Sequence, residues 1–288
     1  MLERINSLQN QYVKLAASLR EKKYREETGL FAVEGIRLVE EAAQSDYCID
    51  LCLCTEKVAR SERGQAILAV LGQKKIRLLE VSESVYAKIS DTEQPQGIMA
   101  LVQKQRFCLR EVAARQETPF WVVLDHLQDP GNVGAAIRSA DAAGCTAVIL
   151  SPGCADPFAG KTVRASMGSL FHLPILEQVA LADFFRLCKE TGVTLLASSL
   201  ASSDVYFEVD FTPAVAVIFG NEGNGVSQES LAAADQNVYI PLLGKAESLN
   251  VSAAVSVILY EAVRQRHYGQ RREKIAGKGL AVDLGTID

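Results

Sequence analysis

From Phe120 onward the chain repeats one pattern: a short aliphatic run, a turn, then a helix-like stretch. The runs are "WVVLD", "TAVILSP", "VTLLASS", "AVAVIFG" and "NVYIPL". Near-continuous Val, Ile and Leu between helices means strands buried on both faces, which predicts a parallel sheet covered by helices on both sides. Between the runs, "GAAIRSADAAG" and "LADFFRLCKETG" stop at Gly, as helices commonly do. The last stretch, "SLNVSAAVSVILYEAVRQR", places Val251, Val255, Ile258, Leu259 and Ala262 at helical spacing. Open sheets of this kind bind ligands beyond the carboxyl ends of their strands, so the turns after these runs are the places to look for chemistry.

The first hundred residues alternate the same two periods more loosely. A helix-like segment spans Gln9 to Glu27, "LFAVEG" reads as a strand into a turn, and "IDLCLCT", "IRLLEVS" and "GIMALVQ" read as further strands. The expected organisation is a small α/β domain at 1–104, a polar connection at 105–119, a second α/β domain at 120–268, and a Gly- and charge-rich tail at 269–288. A length of 288 residues suits two domains. The net charge of −5 supplies no global basic field, which leaves any nucleic-acid contact to a local patch. The first residues carry no signal-peptide pattern, and no apolar run reaches the ~18 residues that span a bilayer. Seven Cys without a C-x-x-C pair, together with three His, argue against zinc and for reduced thiols in a cytoplasmic protein.

Three turns carry the chemistry. The first is "DPGNVGAAIRSADAAG". Its glycines do not fit G-x-G-x-x-G, the next strand ends without an acid to hold a ribose, and no Walker A Lys follows. What remains is Asn132 as a helix cap, Gly131 and Gly134 allowing close approach, and Arg138 one turn beyond Gly134 in an Ala-rich helix. Taken alone, Arg138 reads equally well as a solvated surface charge. The second turn, "VIFGNEGNGVS", sets Glu222 among three glycines at the end of an apolar strand. The third, "IPLLGKAESLNVSAAVSV", enters a helix through Ser248, Leu249, Asn250 and Ser252. These last are also ordinary capping residues.

In this order, at strand ends, the three turns resemble the motifs of the SpoU (TrmH) family of RNA ribose 2′-O-methyltransferases, within the SPOUT superfamily. Asn132, Gly134 and Arg138 match N-x-G-x-x-x-R; Gly220, Glu222 and Gly225 match G-x-E-x-x-G; Ser248 to Ser252 match S-L-N-V-S. The resemblance covers roughly Phe120 to Gln265. A looser one, in "FAVEG" and "TEQPQG", likens the first hundred residues to the family's ribosomal-protein-like substrate-binding domain. The resemblance implies a parallel-sheet SPOUT domain with a C-terminal trefoil knot, which general connection rules would not anticipate. It implies S-adenosylmethionine held by Ser198, Leu200, Gly220, Ile240 and Leu249, and a catalytic group of Arg138, Asn132, Glu222, Ser248 and Asn250. A guanidinium stays protonated, so Arg138 is expected to stabilise the forming alkoxide and to grip a neighbouring phosphate. His126, just before the first motif, is a possible proton acceptor at no motif position.

The implied partner is RNA, with ribosomal RNA favoured over transfer RNA, and neither DNA nor membrane; a homodimer through the knotted domain is expected. Candidate RNA contacts are Lys14, Lys22, Lys23 and Arg25 on the first helical segment, and Lys161 and Arg164 after "SPGCADPFAG". Two other readings stay open at this point. One is a non-catalytic RNA-binding or ribosome-assembly factor on the same fold; the other is a transfer-RNA ribose methyltransferase. A dinucleotide-dependent oxidoreductase is disfavoured by the glycine spacing.

Overall fold

In the computed structural model, which describes residues 3–115, 118–200, 202 and 204–268, the strands form two sheets. The first contains β1 (Glu3–Ile5), β2 (Leu30–Glu34), β3 (Ile49–Thr55), β4 (Arg77–Val81) and β5 (Ile98–Gln103), in the order β1-β4-β3-β5-β2. It is mixed: β4 runs parallel to β1 and β3, while β5 is antiparallel to both β2 and β3. The second contains β6 (Phe120–Leu124), β7 (Ala147–Leu150), β8 (Ile175–Leu176), β9 (Thr194–Ser198), β10 (Asp204–Val205), β11 (Val215–Phe219) and β12 (Gln236–Tyr239). Its order is β10-β12-β9-β11-β6-β7-β8, and every pair is parallel. The five aliphatic runs are β6, β7, β9, β11 and β12, with β6, β7 and β11 buried throughout; the two-residue edge strands β8 and β10 answer to no run in the sequence.

The helix Pro130–Ala142 follows β6 and packs against two others, Gly160–Ser166 and Val251–Val263. Contact with the first is close because position 134 is glycine. A Cβ there would fall 2.5 Å from that of Ala165 and 2.6 Å from the Thr162 carbonyl oxygen. The second contact includes a 2.8 Å hydrogen bond between the hydroxyls of Ser139 and Ser256.

The helix start differs from the sequence expectation. Asn132 is not its cap. Asp129 is, accepting from the Asn132 N–H at 2.8 Å, and Pro130 takes the first helical position, where its missing N–H costs nothing. The segment Gln9 to Glu27 also divides, into Gln11–Ser18 and Lys22–Thr28. The expected connection carries a helix of its own, Leu109–Ala114, whose Val112 is buried among residues of the second sheet.

One hydrophobic cluster runs across both sheets. Phe31 of β2 lies 5.0 Å, ring to ring, from Phe158, and Tyr47 stands edge-on to Phe171 at 5.2 Å. Beside them is a buried ion pair that corrects another expectation. Arg25 is 4% exposed and Asp156 8%, with Nη2 to Oδ2 at 2.7 Å. Arg25 Nη1 donates to the carbonyls of Leu19 and Arg20. With its donors so committed, Arg25 is a structural cation joining the two halves and is not available to RNA.

Candidate active site

β9, β11 and β12 end side by side, and the turns beyond them surround one cavity of about 760 Å³. Ser198, Leu200, Gly220, Ile240 and Leu249 all line it, as do Glu222, Ser248 and Asn250. The Gly220–Gly225 turn is tight enough that a Cβ on Gly220 would sit 2.0 Å from the Gly225 carbonyl carbon. Asn221, which the sequence reading did not single out, holds the turn together. Its Oδ1 accepts from the N–H groups of Gly223 and Asn224, and its Nδ2 donates to the His126 carbonyl at 2.9 Å. An Asn at the head of a glycine-rich turn is the local signal for such a side-chain-closed turn. Leu200 and Leu249 keep much of their surface exposed. Exposed aliphatic side chains beside polar backbone turns fit a flat apolar ring such as adenine.

At one rim of the cavity the three turns meet through side chains. Asn250 Nδ2 donates to Asn132 Oδ1 at 3.1 Å, and Asn132 Nδ2 donates to Glu222 Oε1 at 2.9 Å. Asn250 is also the cap of the helix Val251–Val263, accepting from the Ser252 N–H at 2.9 Å, so a single side chain starts the helix and reaches the neighbouring turn. Ser248 lies on the exposed stretch of the same wall. Arg138 stands apart from the group: it is exposed and makes no hydrogen bond or ion pair among the described residues. Its guanidinium donors all remain free for a ligand.

The remaining candidate cations sit on the surface. Lys14 is exposed, while Lys22 and Lys23 face Glu26 and Glu27 at 3.6 and 3.8 Å. Lys161 pairs with Asp129 at 3.1 Å, beside the start of the helix that carries Arg138. The Asn132 N–H and then Lys161 hold the Asp129 carboxyl below its ordinary range. Arg164 pairs with Asp91 at 3.1 Å, across the seam between the two sheets.

Comparison with known proteins agrees with this arrangement. Residues 119–260 match the model of the SpoU rRNA Methylase family, and residues 10–100 that of an MRM3-like substrate binding domain. The chain is 36% identical to the 23S rRNA (guanosine(2553)-2′-O)-methyltransferase of Bacillus subtilis, over 90% of this chain and 98% of that one. It is 30% identical to the 23S rRNA (uridine(2479)-2′-O)-methyltransferase of Streptomyces viridochromogenes, over 93% and 94%. The AdoMet-bound crystal structure of an rRNA methyltransferase from Sinorhizobium meliloti superposes with a TM-score of 0.82 at 34% identity, over 93% of this chain and 98% of that one. Two motif turns lining one cavity and a third hydrogen-bonded to both, in a chain that matches such relatives along nearly its whole length, accord with its membership of the SpoU rRNA methylase family of RNA ribose 2′-O-methyltransferases, to which the chain belongs.

Proposed function

We propose that the chain methylates the 2′-oxygen of a ribose in ribosomal RNA, with S-adenosylmethionine as donor. The observation that carries this reading is the Asn250–Asn132–Glu222 hydrogen-bonded chain at the rim of the cavity. The donor, when bound, supplies a methyl group activated on a sulfonium. Ser198, Leu200, Gly220, Ile240 and Leu249 hold it, the aliphatic groups taking the adenine face. Asn132, with Glu222 and Asn250 fixing its amide and Ser248 on the same wall, orients the acceptor ribose. A neutral hydroxyl is a weak nucleophile, so its oxygen must be oriented and its developing charge stabilised. Arg138 does this, because its donors are not spent inside the protein and a guanidinium holds its proton throughout.

Lys14, Lys22, Lys23, Lys161 and Arg164 are the proposed RNA cations, with residues 1–104 as the substrate-binding part and 120–268 as the catalytic part. Relatives named as 23S rRNA methyltransferases support ribosomal RNA as the substrate and the cytoplasm as the place of action. The chain works as a homodimer. In support, the helix Val251–Val263 is apolar nearly all round, yet Tyr260 stays exposed on it.

Transfer of labelled methyl to 23S, 16S and transfer-RNA transcripts tests the reading. Wild type labels 23S RNA, and Arg138→Ala loses about a hundredfold or more in kcat, as removal of a charge-stabilising donor does. Label confined to transfer RNA would overturn the substrate, and absence of donor binding would leave a non-catalytic RNA-binding protein.

A further inference from the structure

His126 is held more tightly than a half-exposed side chain needs to be. It follows β6 directly, and its backbone adopts φ +56°, the left-handed region that a residue with a side chain rarely occupies. Each of its polar groups except one is committed. Its N–H donates to Ser151 Oγ at 2.9 Å, and its carbonyl accepts from Asn221 at 2.9 Å. Its Nδ1 lies 2.6 Å from the Oδ1 of Asp125, a side chain with no exposed surface. Burial by itself would raise the Asp125 carboxyl, but hydrogen bonds from Ser227, His126 and Ser230 outweigh it and hold the group below its ordinary range. An ionised carboxylate only accepts, so Nδ1 carries the proton and donates it, and Nε2 is the free corner of the ring.

The opposite edge of the ring is fitted as closely. A Cβ on Gly153 would fall 2.8 Å from Cδ2 and 3.6 Å from Nε2, and Gly153 itself has φ +88°. Two edges are therefore clamped while the side chain remains 53% exposed. The bond to Asp125 occupies only one edge of the ring, and a side-chain-bearing residue kept in the left-handed region is a mark of functional positions. The location narrows that function. His126 is absent from the cavity wall, yet its carbonyl anchors Asn221, which is part of that wall. It stands beside the donor site, among the turns that follow β6, β7 and β11.

We propose that the exposed imidazole is a docking site for one nucleotide of the substrate RNA flanking the methylated ribose, with a base stacked on the ring and Nε2 on its hydrogen-bonding edge. Unpaired RNA bases are recognised by stacking on aromatic side chains, histidine included. A ring fixed in advance loses little freedom when the base arrives. The inference rests on the RNA-methylation reading and adds to it a contact outside the three motifs.

Two variants test it. His126→Gly removes the ring and relieves the backbone; His126→Asn also tolerates the left-handed region and keeps a donor beside Asp125. RNA affinity is read by fluorescence anisotropy with a labelled 23S rRNA fragment, donor affinity by calorimetry, and fold by thermal melting. Both variants are expected to bind RNA about tenfold more weakly, a loss within the range for one stacked base. That loss appears in KM for RNA, with donor affinity unchanged and cooperative melting retained, the Gly variant melting lower than the Asn variant because Asp125 loses a donor. RNA affinity within twofold of wild type in either variant would overturn the proposal, as would wild-type affinity restored by Asn alone. Lost donor binding or folding in both would reduce His126 to a structural residue. Wild type that binds the fragment without methylating any ribosomal RNA would defeat the proposed function instead, while the comparison of variants would still decide the docking site.

Discussion

Asn250 donates to Asn132 at 3.1 Å across 118 positions of sequence, and this bond fixes which way the Asn132 amide faces. With its oxygen taken, Asn132 has its NH2 turned to Glu222 at 2.9 Å. An amide, having one accepting and one donating end, is suited to join a donor on one side to a carboxylate on the other.

Asn132→Asp keeps the size but removes the donor and sets a second carboxylate against Glu222. We expect Asn132→Ala to weaken donor binding about fivefold, the usual worth of one hydrogen bond, and Asn132→Asp to weaken it about tenfold further through like-charge repulsion. Calorimetry with S-adenosylmethionine checks this; equal effects from the two variants would mean that the amide does not hold the Gly220–Gly225 turn.

The Arg25–Asp156 pair is buried on both sides. Removing one partner leaves the other charged group inside without compensation, so Arg25→Ala is expected to cost about 3–5 kcal/mol of stability. The same substitution at exposed Lys23 should stay within about 0.5 kcal/mol. Denaturant melts of the two variants make the comparison, and a small effect at Arg25 would count against its structural role.

His172 links the two halves in a pH-dependent way. Its Nδ1 lies 2.8 Å from Asp141, on the helix that carries Arg138, and its Nε2 3.4 Å from Glu41, on the helix Ile36–Gln44. Its pKa is raised, first by the hydrogen bond to Asp141, against burial, and then by the charges of Asp141 and Glu41. A raised histidine stabilises the fold fully below its ordinary value of 6.5 and loses that contribution as pH rises through the elevated one. His172→Gln should therefore lower the melting temperature at about pH 6 and make little difference at about pH 9. A gap that is constant with pH would show that the imidazolium contributes nothing.

Gly134→Ala places a methyl group 2.5 Å from Ala165 Cβ and 2.6 Å from a backbone oxygen. Overpacking between two helices costs about 1–3 kcal/mol, and here the helix bearing Arg138 has to move. We expect lower stability together with lower kcat; normal values for both would show that the helix pair adjusts freely.

Several of these features were legible in one dimension. The aliphatic runs announced a parallel sheet because a strand buried on both faces has no polar side to alternate with. The glycine-rich turn after β11 marked one cavity wall, since open sheets bind ligands at their carboxyl edge, whereas Gly134 serves the packing of two helices. The helix cap is legible too, in Asp129 followed by Pro130, although Asn132 is the more conspicuous capping residue in the sequence. Asn132 is instead occupied by partners 90 and 118 residues away, Glu222 and Asn250.

Local composition and spacing thus determined the long strands and the turn positions, because those depend on short-range backbone preference and periodic burial, and the family resemblance picked out the motif residues. Only the tertiary structure decided which charges are available. Arg25 and Arg138 look alike in the sequence. One is sealed against Asp156, 131 residues distant, and the other is left bare at the surface. Burial and pairing of a charge depend on what the rest of the chain brings to it, and that information lies in the folded packing.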